Sequence, residues 1–230
     1  MKKVLFLLMF PVLCFGQTAD EFYNSGISKN NLKDYEGAIT DYTKAVELNS
    51  EFADAYYNRG VAKKNLKDYN GAITDYNKAI SLNPDDATAY NNRGISKSYL
   101  KDYNGAITDY NKAISLTPDD AKAYYNRGII KKKLKDYNGA IADYTKAISL
   151  NPDYANAYNN RGNSKAKLKD YEGAITDYNK AIELNPDFAM AYKNRGISKE
   201  NSGKPYCSDY KKACELGNQK SCEWYNNQCN

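Results

Sequence analysis

Between Tyr69 and Ile80 the residues Tyr69, Ala72, Ile73, Tyr76, Ala79 and Ile80 form one stripe at steps of three and four. That is the period of a helix, not the alternation of a strand. Upstream, Ala53, Tyr56, Gly60 and Leu66 lie along one side of a preceding segment. Polar residues punctuate the pattern. Asp68 is placed to cap the second helix, and Asp85 and Asp86 to cap the first helix of whatever follows. Pro84 cannot continue a helix, so the second helix ends before it. The pattern predicts two antiparallel helices joined by a short turn.

The same pattern recurs. The 34-residue stretch Ala53 to Asp86 returns almost unchanged from Ala87, Ala121 and Ala155, more loosely from Ala19, and truncated from Ala189. A period of this length marks a repeat array. Small residues (Gly60, Ala72, Ala79) sit where helices must meet, and Tyr56, Tyr69 and Tyr76 fill the remaining volume. One hairpin buries too little apolar surface to fold alone, so the units stack on their neighbours. The expected organisation is six hairpins over 19–52, 53–86, 87–120, 121–154, 155–188 and 189–218. A capping helix over 219–230 follows.

At Tyr56, Gly60, Tyr69, Ala72, Tyr76, Ala79 and Pro84, and at their equivalents, the chain resembles the tetratricopeptide repeat family. The likeness runs from Ala19 to Asn218, and the C-terminus is similar to that of a secreted bacterial type with a cysteine-rich cap. The resemblance implies an all-α superhelical solenoid. It also implies a non-catalytic protein–protein interaction scaffold binding a peptide or partner helix. The alternative is a structural spacer or accessory subunit of an envelope enzyme complex. Two positions depart from the family pattern. The seventh residue, commonly Leu, is Arg59, Arg93, Arg127, Arg161 or Arg195. The nineteenth is Gly37, Gly71, Gly105, Gly139 or Gly173, which is expected to weaken the first turn of each second helix.

Composition narrows the function classes. The chain has no histidine, which removes the commonest general base and metal ligand. No phosphate-cradling loop and no paired carboxylates stand out, so neither catalysis nor a cofactor or metal is expected. Net charge is +5, two units of which come from Lys2 and Lys3 in a segment expected to be removed. That is too mild and too evenly spread for a nucleic-acid partner. The 23 tyrosines are read as core and interface filler rather than a base-stacking surface.

Residues 1–16 place two lysines before an apolar run, with Cys14 and Gly16 at −3 and −1 from Gln17. This is the pattern of a secretory signal peptide, so a secreted or periplasmic protein without a membrane span is expected. A lipid anchor at Cys14 is disfavoured by Leu13. Cys207, Cys214, Cys222 and Cys229 would then meet an oxidising compartment. Pairing residues seven apart on one helix needs a span of about 10.5 Å, beyond the reach of a disulfide. Pairing Cys207 with Cys222 and Cys214 with Cys229 needs parallel helices, which the short link at Gly217-Asn218 forbids. Cys207–Cys229 and Cys214–Cys222 are the remaining pairing, centred on Asn218. The Cys214–Cys222 spacing also resembles the bridge of cysteine-rich helical repeats in secreted bacterial proteins.

In the resembled family the first helices line a concave surface, and the stripe at positions 2, 5, 9 and 12 meets ligand. Here that implies a partner-binding groove of Tyr57, Val61, Lys64, Asn91, Ile95, Tyr125, Ile129, Lys132, Asn159, Asn163 and Lys193, with Tyr99 at its edge. Ser98, Ala166 and Ile197 fall on the same stripe. Such a groove suits an extended peptide or a partner helix. Val61, Ile95, Ile129 and Ile197 could instead pack between repeats. Asparagine fills position 6 in all six copies, from Asn24 to Asn194. It is read as a structural amide bonding the next repeat, with capture of a peptide backbone as the alternative. Finally, every copy with Arg at position 7 has Asp at position 23, as in Arg59 with Asp75. This predicts an ion pair between the two helices of each hairpin.

Overall fold

A computed structural model describes residues 17–229. The signal peptide and anchor expectations fall outside that range. Among the described residues the structure is wholly helical, in consecutive hairpins. These are α1 (Ala19–Asn31) with α2 (Tyr35–Leu48), α3 (Ala53–Asn65) with α4 (Tyr69–Leu82), and α5 (Ala87–Tyr99) with α6 (Tyr103–Leu116). Next come α7 (Ala121–Lys133) with α8 (Tyr137–Leu150) and α9 (Ala155–Lys167) with α10 (Tyr171–Leu184). α11 (Ala189–Asn201) pairs with the shorter α12 (Cys207–Glu215), and α13 (Gln219–Gln228) closes the stack. Each helix packs on its chain neighbours, and the first helices of successive hairpins, α1 to α11, also approach within 8 Å of one another. The all-α solenoid expected from the pattern is what the chain forms.

Each turn inside a hairpin is built the same way. The first helix ends with a lysine in the left-handed region (Lys33, Lys67, Lys101, Lys135, Lys169, φ 64–65°). The Asp68 N–H then reaches back to the Lys63 carbonyl, closing the helix end. Asp68 next caps α4, its Oδ1 accepting from the Gly71 N–H at 2.9 Å. A Cβ on residue 71 would lie 2.1 Å from Asp68 Oδ2. The glycine therefore leaves room for the capping carboxylate, which corrects the view that it only weakens the turn. Between hairpins, Asp86 caps α5 as expected, accepting from the Thr88 and Ala89 N–H groups. Phe52, Tyr154 and Phe188 stand at the start of α3, α9 and α11 without a side-chain cap.

The core is made mainly of alanines and one tyrosine per hairpin, with Val46, Ile80, Ile130, Ile148 and Ile175. Ala55, Ala72 and Ala79 are buried with Tyr76, and their equivalents repeat along the stack. Gly60 faces the Tyr76 ring, where an added Cβ would come within 2.8 Å of Cε1. Tyr56, expected to fill the core, is only half-buried and lies under the Arg59 guanidinium at 5.4 Å. Leu66, expected on the packed side, is 44% exposed, because it sits at the tip where the chain leaves α3.

The predicted ion pairs form in all five hairpins. Arg59, Arg93, Arg127, Arg161 and Arg195 reach Asp75, Asp109, Asp143, Asp177 and Asp209 at 2.6–2.7 Å. A lysine four residues on completes the clamp, as Lys97 does on Asp109 at 2.8 Å. The arginine also ties each hairpin to the one before it: Arg93 Nη1 donates to Asn77 Oδ1 at 2.7 Å. In the first hairpin, where Ser25 replaces Arg, Ser25 and Lys29 bond Asp41 instead. Burial pushes the Asp41 carboxyl up, but the bonds from Lys29 and Ser25 outweigh it and hold it below the usual carboxylate range.

The C-terminal hairpin carries both expected bridges. Cys207–Cys229 and Cys214–Cys222 join α12 to α13 across Cα separations of 5.6 and 4.6 Å. Trp224 packs its ring 5.2 Å from the buried Tyr210. No helix among the described residues is long and apolar enough to cross a membrane.

Candidate protein-binding groove

At 100° per residue, positions 5, 9 and 12 lie on the side of each first helix away from the Arg–Asp–Lys clamp. Much of that stripe is occupied in joining repeats. Asn58 Nδ2 donates to Tyr23, Asn92 to Tyr57, and Asn160 to Tyr125, at 2.9–3.0 Å. Where position 5 is asparagine the bond survives with a different acceptor: Asn126 donates to Asn91 Oδ1 and Asn194 to Asn159 Oδ1, both at 3.1 Å. The position-6 asparagines are thus structural amides. Their partners Tyr57, Asn91, Tyr125 and Asn159 form the other half of a ladder, and Asn159 is buried.

Lys64 and Lys132 add a second bond to this ladder, reaching Asn92 Oδ1 at 2.6 Å and Asn160 Oδ1 at 2.7 Å. Burial holds both ammonium groups below the ordinary lysine value, Lys132 with help from Lys133. Burial acts the same way on Lys193, with Lys220 adding to it. Burial also pushes the Tyr57 hydroxyl up to about 12.

The free surface of the groove lies at positions 9 and 13 and in hollows between hairpins. Ile95 and Ile129 are half-buried and pack against Ala106, Tyr110 and Ile130, so each has one side on the core and one facing out. Tyr99 is 62% exposed and stacks on Tyr69 with ring centres 4.6 Å apart. One hollow of about 350 Å³ is lined by Ile95, Ser98, Tyr99, Tyr103, Tyr110 and Ile129, with Lys101 and Lys133 at its edge. A second, of about 540 Å³, is lined by Asn163, Ala166, Tyr171, Tyr178 and Ile197, with Lys132 and Lys167. Neither has an acidic lining residue.

The structure therefore brings Ile95, Tyr99, Ile129, Lys132 and Asn163 to these hollows. Val61 lies half-buried on α3 and lines neither. The stripe missed the tyrosines that open each second helix (Tyr103, Tyr137, Tyr171) and the turn lysine Lys101. Their signal was the Lys-Asp-Tyr that recurs at the turns of the first five hairpins. Among the described residues no cluster of three or more Cys, Asp or Glu could hold a metal ion.

Two models of the tetratricopeptide repeat match the sequence. One, described as "Tetratricopeptide repeat", matches residues 53–86, 121–154 and 155–188. The other, "TPR repeat", matches 30–67 and 99–135, so that together they span more than half of the chain. The chain belongs to the tetratricopeptide repeat family. No curated protein matches it. Among solved structures it is similar to the MamA protein, at 28% identity and a TM-score of 0.67, over 75% of this chain and 96% of that one. It also matches YrrB, described as a TPR protein with an unusual peptide-binding site, at 23% identity and a TM-score of 0.67, over 80% and 97%. A third match is PilF of Pseudomonas aeruginosa, at 20% identity and a TM-score of 0.75, over 90% and 95%. At such identities YrrB and PilF speak for the fold alone.

Proposed function

We propose that this protein is a non-catalytic scaffold that holds a peptide or partner helix against the first-helix face of its solenoid. The observation that carries the reading is the pair of hollows between hairpins. Half-buried Ile95, Ile129 and Ile197 each line a hollow, beside the tyrosines of its wall. Tetratricopeptide repeats typically bind proteins or peptides, and YrrB is described as doing so. The bonded cysteines are compatible with an oxidising, extracytoplasmic location, and we place the protein in the periplasm or outside the cell.

The spacer reading has one observation in its favour: positions 5 and 6 are largely occupied in bonding successive hairpins. Crosslinking and pull-down from an envelope fraction separates the two. Tyr99→Ala with Ile129→Ala should weaken capture of a specific partner while helicity is kept. Thr108→Glu, on an exposed position of α6, should leave capture unchanged. Capture lost on Thr108→Glu and kept in the groove variant would reject the site, and turnover by the pure protein would reject the non-catalytic role.

A further inference from the structure

The two hollows are the same hollow, 68 residues apart. Ile95 corresponds to Asn163, Tyr103 to Tyr171, Tyr110 to Tyr178 and Ile129 to Ile197. The cause is position 12. In the second and fourth hairpins it is Lys64 or Lys132, whose side chain crosses to the next repeat's asparagine. In the third and fifth it is Ser98 or Ala166, too short to cross, so the space stays open. From the second hairpin to the fifth, plugged and open joints thus alternate with a period of two hairpins.

Resting on the groove reading above, we propose that the open joints are twin anchor sites for one acidic segment carrying two apolar side chains. Each hollow is large enough for an aliphatic or aromatic side chain, with an isoleucine (Ile129, Ile197) and two tyrosines in its wall. Lysines edge both, and no carboxylate stands among the lining residues to oppose an acidic ligand. In the second hollow Tyr178 gives its proton to Asn163 at 2.8 Å. Neighbouring first helices at an ordinary spacing of about 10 Å put the two hollows about 20 Å apart, which an extended peptide covers in about six residues.

Selection of a randomised 12-residue peptide library on the full chain tests this. Two variants carry the plug that the protein itself uses elsewhere, Ser98→Lys and Ala166→Lys, and so should keep the fold. Enriched peptides should be acidic, with two apolar residues about six apart. Each plug should weaken their binding about tenfold or more, the usual worth of one apolar side chain in its pocket. Peptides that protect the first helices from hydrogen exchange, but lack the acidic character or the paired anchors, would overturn the twin sites and leave the groove standing. So would groove-bound peptides that ignore both plugs. If no enriched peptide protects the first helices, both readings fall.

Discussion

Asp109 lies at the middle of the array and is 1% exposed. It accepts from Arg93 Nη2 at 2.6 Å and Nε at 3.0 Å, and faces Lys97 Nζ at 2.8 Å. Asp109→Ala leaves two cations, with side chains 16% and 20% exposed, without their counter-charge. Removing one partner of a buried ion pair costs about 3–5 kcal/mol. Arg93 keeps its bond to Asn77 and both cations keep some water, so about 3 kcal/mol is expected here. The first hairpin supplies the control. Asp41 has Ser25 in place of an arginine, and its Lys29 partner is 38% exposed, so Asp41→Ala should cost about 1 kcal/mol. A triple change, Arg93→Met, Lys97→Met and Asp109→Leu, should be close to neutral, since it removes the charges together. Urea unfolding followed by circular dichroism reads all three. Weakening a central hairpin also uncouples its two neighbours, so the transition of Asp109→Ala should broaden, with a lower m-value. A cost for Asp109→Ala under about 1 kcal/mol, or no greater than that of Asp41→Ala, would refute the clamp as a structural element.

Three further outcomes are expected. Lys67 holds φ 65° where the sixth hairpin uses Gly203, so Lys67→Gly should stabilise the protein by up to about 1 kcal/mol in the same urea assay. The Tyr76 hydroxyl is buried without a partner, so Tyr76→Phe should be neutral or stabilising. Tyr178→Phe loses the bond to Asn163 and should destabilise by about 1 kcal/mol. Burial raises Tyr42, Tyr57 and Tyr154 to about 12, and Tyr76 and Tyr144 further. A raised folded value means stability that is full below the unfolded value of about 10 and is lost as pH rises through the folded values. The last part of the tyrosinate absorbance, from these buried rings, should therefore rise together with loss of helicity; complete ionisation with the helices intact would contradict the burial.

The hairpin register was legible because each copy restates it. Arg at position 7 came with Asp at position 23, or two residues earlier in the sixth copy with its shorter turn, so the clamp was legible from the residues alone. The cysteine pairing followed from helical rise and one short link. What the stripe could not reveal depends on reach across a joint. Whether position 12 fills or opens a hollow is settled by a lysine's length against the neighbouring asparagine, not by its place on a helix. Tyr56 and Tyr76 look alike in a periodic pattern, yet only Tyr76 is fully buried, because it is the one that faces Gly60. Gly71 read as a weak helix former, since its effect lies in the Asp68 side chain folded over it.

Hydrogen exchange of the captured complex, read helix by helix, tests the central claim most directly. The account predicts new protection in α5, α7, α9 and α11, the helices that carry Tyr99, Ile129, Asn163 and Ile197, with α6, α8 and α10 little changed on their exposed sides. Protection confined to those second helices, with the first helices exchanging as in the free protein, would contradict it.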